Sequence, residues 1–404
     1  MWATVLGAAA LGALKHVVEA QQFNREMLEA LFATARECEG VGPSRPSDVL
    51  RGHVMATLFY EPSTRTRLSF ETAMLRLGGG VVSTENARED SSVSKGETLE
   101  DTVRTCEGYA DCIVLRHYIA GSARKAAGVA GVPILNAGDG PGQHPSQALL
   151  DSYTIQKELG RIDGVRIAFV GDLANGRTVR SLALLLTEFR DVKMYFVAPS
   201  VVRMRSDIKE FLDERGFEWE EVDDLKAVAA EVDVLYMTRI QKERFGDRLE
   251  DYAAARGKYI LDQDIMGSLS PDAIVMHPGP MNRGVEIDPA VADGPQSVVL
   301  DQVEAGVAVR MALLYLLAGV ELLAFPLLGA GTANSIGILS LQAPPARFKP
   351  NPEPTPPQPS PPSPPPLPTP LAPGMDRAPF PPSPPPSPPI ARVWEFQFTD
   401  VKTR

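Results

Sequence analysis

Short apolar runs alternate with stretches of helical period along most of this chain. The runs that predict β-strands lie at residues 54–60, 112–116, 132–136, 165–170, 194–198, 232–237 and 274–276. Helical stretches follow most of them; Phe70, Ala73 and Leu77, for example, recur at the spacing of one helix face. Such alternation is typical of parallel sheets covered by helices on both faces. The pattern therefore predicts an α/β fold with two doubly wound parallel-sheet domains.

The predicted strands are numerous enough for two sheets, each with its own helices. A boundary near residue 150, within or just after a helix that begins at His144, separates them most simply. The first domain is thus predicted at residues 15–150 and the second at residues 151–300. An amphipathic pattern predicts one further, buried helix at residues 301–318.

The chain changes character beyond that helix. Residues 311–331 contain Glu321 as their only charge, but Pro326 and three glycines interrupt them, so we expect no membrane span. Residues 319–343 are predicted to be an apolar segment of uncertain structure. About half of residues 344–389 are proline, a composition that can neither supply ladder hydrogen bonds nor bury a core. Residues 344–404 are therefore predicted to be a disordered, proline-rich tail.

Charge and composition narrow the possible functions. A net charge of −11 and a pI near 5.1 argue against a general nucleic-acid binder, and any anionic ligand must be held by a local basic cluster. The three cysteines have neither metal-ligand spacing nor the density of a disulfide scaffold, which favours a reducing compartment. The five histidines form no closely spaced pair. Neither a metal site nor a cofactor site is predicted.

The strongest chemical signal is the run Ser63, Thr64, Arg65, Thr66, Arg67. It stands between an apolar run and a helical stretch, so Ser63 is predicted to be a helix N-cap. The next backbone N–H groups have no intrahelical partner and, with the helix dipole, attract phosphate. Three hydroxyls and two guanidiniums at the same place add donors and charge. Because positive charge in a first turn opposes the dipole, a plain N-cap does not explain the arginines, and we interpret the run as an anion site.

Other polar groups lie near it in the first half of the chain. Arg116 closes a predicted strand, the position at which α/β proteins place ligand-binding groups. His144 and Gln147 follow a glycine-rich turn three residues apart, hence on one face of a helix. Ser91 and Lys95 lie in a polar loop, for which a mobile anion lid and a merely solvated loop are both open interpretations.

The second half repeats the pattern. Arg177 enters a helix after a loop that lacks the dinucleotide-binding glycine motif, and Arg239 and Gln241 follow another strand. Gly279 and Pro280 belong to a proline-fixed loop after the last strand. Each is compatible with an ordinary surface loop, but their common placement at strand ends indicates one crevice. The residues together describe a site for a phosphate-like and a carboxylate-rich anion, suited to direct transfer between two small molecules.

With these motifs in this order, residues 16–318 resemble the aspartate carbamoyltransferase family, the catalytic chains of de novo pyrimidine (UMP) synthesis. The resemblance implies that the first domain, completed by the helix at residues 301–318, binds carbamoyl phosphate and that the second binds L-aspartate. The residues implied to contact carbamoyl phosphate are Ser63, Thr64, Arg65 and Thr66 for the phosphate, Arg116 for phosphate and carbonyl oxygens, His144 with Thr66 for the carbonyl, and Gln147 for the NH2 group. Those implied to hold aspartate are Arg177, Arg239 and Gln241, with Gly279 and Pro280 contributing backbone carbonyls.

The resemblance also implies a mechanism and an assembly. The neutral amine of aspartate would attack the carbamoyl carbon, and the residues implied to assist catalysis are Arg65, Thr66, Arg116 and His144. Ser91 and Lys95 would arrive from a neighbouring subunit, so that at least a homotrimer with composite sites is expected. Many family members carry His-Pro-Leu-Pro-Arg where this chain has His-Pro-Gly-Pro-Met, and Arg283 is a candidate for the missing arginine.

Two alternatives to this function stay open at this point. The first is an ornithine carbamoyltransferase-like enzyme, which shares the Ser-Thr-Arg-Thr-Arg element but lacks a lysine at the position of Lys95. The second is an inactive homologue that acts as a scaffold through its proline-rich tail. We expect a soluble protein of the cytoplasm or the plastid stroma; residues 1–14 show no legible signal or transit peptide.

Overall fold

A computed structural model describes residues 10–90, 92–240, 245, 249–255 and 257–318 of the chain. Two parallel sheets form its framework. The first contains β1 (Val54–Phe59), β2 (Gly80–Glu85), β3 (Cys112–His117) and β4 (Ile134–Asp139), in the spatial order β2-β1-β3-β4. The second contains β5 (Arg166–Val170), β6 (Lys193–Val197), β7 (Trp219–Val222), β8 (Val234–Met237) and β9 (Ile274–Met276), in the order β7-β6-β5-β8-β9.

Helices connect and cover the strands of both sheets. Those that precede or accompany the first sheet are α1 (Arg25–Glu39), α2 (Thr64–Arg76), α3 (Ala87–Asp90), α4 (Leu99–Cys106), α5 (Ser122–Ala127) and α6 (Pro145–Leu159). Those of the second sheet are α7 (Arg177–Leu186), α8 (Ser206–Glu214), α9 (Leu225–Ala229), α10 (Leu249–Ala255), α11 (Gln263–Met266) and α12 (Pro289–Ala292). A final helix, α13, spans Val299–Leu317. The predicted fold class, two doubly wound parallel-sheet domains, is confirmed.

The central strands are apolar because both of their faces are buried. Every residue of β8 is buried, and β1 and β5 are buried except at their first residues. Helices lie over each face, so a polar alternation would place unpaired side chains in the core. This is why continuous apolar runs located these strands in the sequence.

Two strands were absent from the sequence prediction. β2 and β7 each lie at an edge of their sheet, where β2 pairs with β1 alone and β7 with β6 alone. Their residues are half-buried or exposed, and β7 reads Trp-Glu-Glu-Val. An edge strand with a solvated face needs no apolar run, and charged side chains there discourage pairing with another chain.

The last helix, α13, packs against α1, α2 and α6 of the first sheet. Its side chains from Ala308 to Leu316 are all buried, and Tyr315 is among the largest fully buried residues. The buried helix expected at residues 301–318 is therefore present, although it begins slightly earlier. The chain thus returns to the helices of the first sheet after it has completed the second sheet.

Several predictions fall on residues that the structure does not describe. The apolar segment at residues 319–343 and the proline-rich segment at 344–404 both lie outside the described residues. Within the described residues, none of the helices combines the length and the apolar character needed to cross a membrane.

Candidate active site

A cavity of about 710 Å³ lies at the carboxyl ends of the strands, with lining residues from both sheets. In parallel sheets this edge collects the loops that follow each strand. The residues predicted from the sequence that line it are Ser63, Thr64, Arg65, Thr66, Arg116, His144, Gln147, Arg177, Arg239, Gly279 and Pro280. The structure therefore brings together groups that lie more than two hundred residues apart in the chain, while their individual roles stay predictions.

Three predicted site residues are not among those lining this cavity. Lys95 ends the 3-10 turn Ser92–Lys95, and its side chain is exposed. Ser91 and Gln241 lie outside the described residues, so the structure does not place them. For Lys95, exposure is compatible with the predicted insertion into a neighbouring subunit.

The N-terminus of α2 forms one wall of the cavity. Ser63 is the N-cap, as the sequence predicted, but its hydroxyl makes no capping hydrogen bond. The hydroxyl and the N–H groups of the first turn therefore have no partner in this helix. Because these donors lie at the positive end of the helix dipole, the wall is suited to an anion.

The two arginines of the motif point to different places. Arg65 lines the cavity, and partial burial, followed by the charge of Arg239, lowers the pKa of its guanidinium. Arg67 pairs instead with Glu85 at 2.8 Å and Glu71 at 3.3 Å. The expectation that two guanidiniums act at one spot was therefore wrong: residues two apart on a helix do not share a face, and carboxylates on β2 and α2 hold the second one.

Glu61 is a cavity residue that the sequence reasoning missed. Its Oε2 lies 3.4 Å from Nη2 of Arg116 and 3.3 Å from Nη1 of Arg177. Each guanidinium also donates to a backbone carbonyl, Arg116 to Ala137 at 3.1 Å and Arg177 to Gly140 at 2.8 Å. Because Glu61 accepts from both guanidiniums and each also has its own carbonyl partner, Arg116 and Arg177 are held in fixed directions. Their positive charges are therefore already in place before a ligand binds.

Gly138 makes the close approach of Arg177 possible. A Cβ atom at Gly138 would lie 2.8 Å from Cζ of Arg177, and its φ of +112° also disfavours a side chain. The family resemblance implies that Arg177 holds aspartate, so we expect Gly138→Ala, by displacing the guanidinium, to lower kcat/KM for aspartate roughly 10- to 100-fold. Steady-state kinetics with aspartate as the varied substrate measure the effect.

The matched control is Gly160→Ala. Gly160 has a φ of +72° but nothing within 4 Å of the added Cβ, so it shares the backbone strain without the contact. Both variants should lose about 1–2 kcal/mol of stability, and only the first should change the kinetics. Equal kinetic losses in the two variants would show that strain, and not Arg177, is responsible.

His144 is the N-cap of α6 and is only 3% exposed. Its backbone N–H donates to Ser181 Oγ at 2.9 Å, and this hydrogen bond holds the N-terminus of α6 in place. Burial, and then the positive charges of Arg177 and Arg116, hold the pKa of its imidazole well below 6.5. The ring is therefore neutral at physiological pH and can donate an N–H to a ligand oxygen without carrying charge.

This depressed pKa should also appear in the stability of the protein. The unfolded chain protonates His144 near its ordinary pKa of 6.5 while the folded chain does not, so the contribution is full above that pH and is lost as the pH falls. Between about pH 7 and pH 5, the unfolding free energy of wild type should fall more steeply than that of His144→Gln, by up to about 1.4 kcal/mol per pH unit. Urea melts of both proteins across this range measure the slopes; parallel slopes would contradict the assignment.

The loop after β9 is held by a buried histidine. His277 Nδ1 accepts the Gly279 N–H at 2.8 Å, so its Nε2 carries the proton and donates to Glu286 at 3.2 Å. Gly279 approaches the anion wall, since an added Cβ would lie 2.8 Å from Nε of Arg65. The tautomer of His277 thus fixes the backbone that lines this side of the cavity.

Arg310 is a further cavity residue that the sequence reasoning missed. It lies on α13, is 3% exposed and donates from Nη1 to Ser69 Oγ at 2.7 Å. Burial lowers its pKa to about 10, while the charge of Asp151 opposes the shift, so it stays cationic at neutral pH. A single arginine in the apolar part of this helix, residues 305–317, was the available signal, because a buried charge needs a compensating partner or ligand. Asp172, His277 and Gln302 also line the cavity.

The electrostatics of the cavity are opposite to those of the chain as a whole. Its lining contains the arginines at positions 65, 116, 177, 239 and 310, against the carboxylates of Glu61 and Asp172. The described residues contain no group of three or more His, Cys, Asp or Glu side chains that could hold a metal. What the lining offers is a set of directed donors for polyanionic ligands.

Known proteins match the chain across both domains. The aspartate/ornithine carbamoyltransferase carbamoyl-P binding domain matches residues 15–157, and the Asp/Orn binding domain matches residues 163–317. Aspartate carbamoyltransferase 1, chloroplastic, of Pisum sativum is 60% identical over 305 residues, which are 75% of this chain and 78% of the pea protein. The aspartate carbamoyltransferase catalytic subunit of Methanocaldococcus jannaschii is 48% identical over 302 residues, 74% of this chain and 97% of its own length.

Solved structures agree with these relatives. Aspartate transcarbamoylase from Trypanosoma cruzi in complex with carbamoyl phosphate and aspartate superposes with a TM-score of 0.70 at 40% identity, covering 74% of this chain and 96% of the other. The chain therefore belongs to the aspartate/ornithine carbamoyltransferase family. Within that family it stands among the aspartate carbamoyltransferases, as its motifs predicted, and the ornithine and scaffold alternatives are not favoured.

Proposed function

We propose that this chain transfers the carbamoyl group of carbamoyl phosphate to the α-amine of L-aspartate, giving N-carbamoyl-L-aspartate and phosphate for pyrimidine (UMP) synthesis. One observation carries the proposal: Arg65, Arg116, Arg177, Arg239 and His144 line a single cavity at the strand ends of both sheets. The chain as a whole carries a net charge of −11, so this local concentration of positive charge indicates ligands that carry several negative charges.

Each ligand has a wall suited to it. The phosphate of carbamoyl phosphate would lie at the N-terminus of α2, against Ser63, Thr64, Arg65 and Thr66. The two carboxylates of aspartate would be held by Arg177 and Arg239, whose planar guanidiniums match carboxylates in pairs of hydrogen bonds. Gln241, Gly279 and Pro280 would complete this second pocket.

The reaction follows from the placement of donors around the carbamoyl carbon. The neutral amine of aspartate forms the new C–N bond, and the carbonyl electrons move onto oxygen to give a tetrahedral oxyanion. Thr66, Arg116 and neutral His144 would donate to that oxygen, and one such donor typically contributes about 2.7–4 kcal/mol in the transition state. The C–O bond to phosphate then breaks, and the departing phosphate accepts the amine proton.

The direct test is phosphate release from carbamoyl phosphate with L-aspartate, and with L-ornithine in parallel. We expect aspartate-dependent release, because two arginines line the second pocket and an ornithine side chain would bring an unpaired positive charge against them. Release with ornithine alone would overturn the assignment of Arg177 and Arg239. Release with neither substrate would overturn the proposed activity.

We propose that the working assembly is a homotrimer with composite sites. Lys95 is exposed and is not among the residues that line its own cavity, as expected of a residue that acts in a neighbouring subunit. A mixture of Lys95→Ala and Arg65→Ala chains, dissociated and reassembled, should regain activity that neither shows alone. Failure to complement in a verified mixed trimer would mean that Lys95 acts within its own chain or not at all.

Domain roles and location belong to the same proposal. We assign carbamoyl phosphate to a first domain at residues 15–150 with α13, and aspartate to a second at residues 151–300. The pea and Arabidopsis thaliana relatives are named chloroplastic, which supports the plastid stroma for this chain over the cytoplasm. A fluorescent fusion of the full-length protein in a plant cell distinguishes the two compartments.

A further inference from the structure

A fully buried carboxylate lies behind the cavity wall. Asp151, on the second turn of α6, is 0% exposed. Its Oδ1 accepts from Gln147 Nε2 at 2.9 Å and from Gln302 Nε2 at 2.5 Å, and its Oδ2 accepts from the Tyr236 hydroxyl at 2.6 Å. These three donors stand on α6, α13 and β8. A buried carboxylate is tolerated only when its oxygens are satisfied in this way.

This arrangement determines which end of the Gln147 amide is available to a ligand. A side-chain amide has a donor end and an acceptor end, whereas an ionised carboxylate can only accept. The nitrogen of Gln147 must therefore face Asp151, and its carbonyl oxygen remains for the cavity that Gln147 lines. An oxygen in that position can accept a hydrogen bond but cannot donate one.

The same carboxylate orients a second amide in the same sense. Gln302 directs Nε2 at Asp151, and its Oε1 accepts the backbone N–H of His277 at 3.0 Å. His277 begins the loop that carries Gly279 along the cavity. Asp151 is thus hydrogen-bonded directly to Gln147 and, through the amide of Gln302, to the backbone of His277 at the start of the loop.

We propose that Asp151 is a positioning residue for substrate selection: by fixing the Gln147 amide with its oxygen toward the cavity, it makes the site prefer a ligand with an NH2 group beside the carbonyl. The inference rests on the proposed function, in which Gln147 meets the NH2 of carbamoyl phosphate. Burial raises the pKa of Asp151 to about 6, against the lowering by its hydrogen bonds and by Arg310. Above that pH the carboxylate is ionised and the orientation is enforced.

Acetyl phosphate is the probe that isolates this contact. It carries the same phosphate and the same carbonyl as carbamoyl phosphate, with CH3 in place of NH2. A Gln147 oxygen that faces the ligand accepts a hydrogen bond from the NH2 of carbamoyl phosphate but none from the CH3 of acetyl phosphate. An amide that rotates freely discriminates less between the two ligands. The quantity measured is the ratio of the dissociation constants of acetyl phosphate and carbamoyl phosphate, by calorimetry on freshly dissolved ligands at pH near 8 and without aspartate, so that neither group is transferred.

Two substitutions at Asp151 form a matched pair. Asp151→Leu removes both acceptors, and we expect the ratio to fall by about tenfold, the effect of one hydrogen bond. Asp151→Asn keeps an oxygen for Gln147 and Gln302 and turns its NH2 toward the Tyr236 oxygen, so its ratio should stay within about threefold of wild type. Tyr236→Phe serves as a structural control, which should lower stability and leave the ratio unchanged.

The outcomes separate this inference from the function on which it rests. A wild-type ratio retained in Asp151→Leu, or lost equally in Asp151→Asn, overturns the inference alone and leaves Asp151 a purely structural residue. A wild type that does not prefer carbamoyl phosphate overturns the inference together with the role of Gln147. If the leucine variant does not fold, Asp151→Ala takes its place. A water filling that space can donate as well as accept, so a fall of about threefold supports the inference and an unchanged ratio overturns it.

Discussion

An Arg65→Ala variant should lose about three orders of magnitude in kcat/KM for carbamoyl phosphate. A hydrogen bond to a charged group contributes roughly 1.5–3 kcal/mol, and a guanidinium that makes two of them to one phosphate contributes a factor of about 10² to 10⁴. Arg65 stands in the first turn of α2 beside the unpaired donors of the helix end, so neighbouring groups do not replace its charge. Initial rates with carbamoyl phosphate as the varied substrate measure the loss, and inorganic phosphate binding should weaken in parallel.

Arg67→Ala is the natural control for this experiment. It removes the same side chain two residues further along the same helix, where the guanidinium pairs with Glu71 and Glu85 outside the cavity. We expect a lower melting temperature and a kcat/KM within a few-fold of wild type. Comparable kinetic losses in the two variants would mean that the whole motif acts through the stability of α2 and not through contact with the phosphate.

The second large effect is expected at His144. Replacement by alanine should lower kcat by about 10²- to 10³-fold, with little change in the affinity for carbamoyl phosphate. The reason is that a neutral imidazole donor contributes most when the carbonyl oxygen becomes an oxyanion, whereas the phosphate is held by α2 in both states. Single-turnover rates give the effect on the chemical step, and equilibrium binding on the same preparation gives the effect on the affinity for carbamoyl phosphate.

His117 provides the comparison for His144. It too is a buried histidine with a pKa lowered by burial, but it is the last residue of β3, and its Nδ1 lies 2.8 Å from Ser122 Oγ, outside the cavity lining. His117→Ala should therefore reduce stability and leave kcat within a few-fold. A His144→Ala enzyme with wild-type kcat would remove the imidazole from the proposed mechanism.

The parts of this fold that the sequence revealed are those with one dominant physical cause. Central strands such as β5 and β8 must be apolar because helices cover both faces, and strand-end arginines are conspicuous because a surface loop does not need them. The edge strands β2 and β7 escaped prediction because solvent permits them almost any side chain. Hydrophobic periodicity reveals an element by its buried face, and neither β2 nor β7 has a fully buried face.

Sequence alone also could not predict where every side chain of the site would point. Arg65 and Arg67 belong to one motif, and it is the carboxylates of Glu71 and Glu85 that hold Arg67 away from the cavity. Arg310 and Gln302 come from a helix that follows the second sheet, so their approach to α2 and α6 depends on how the chain returns. Such contacts follow from tertiary packing, which local patterns do not encode.

The position of α13 has a consequence for synthesis on the ribosome. Domains usually fold in the order in which they emerge. Here the apolar faces of α1 and α2 receive their cover from Val299–Leu317, which emerges only after the second sheet has been made. The first sheet to be made is thus the last to be covered, and the helix faces that α13 packs against stay exposed to solvent while the second sheet folds. A substitution that slows the second sheet should therefore lengthen the exposure of the first, and leave nascent chains open to chaperone capture or aggregation at a surface far from the altered residue.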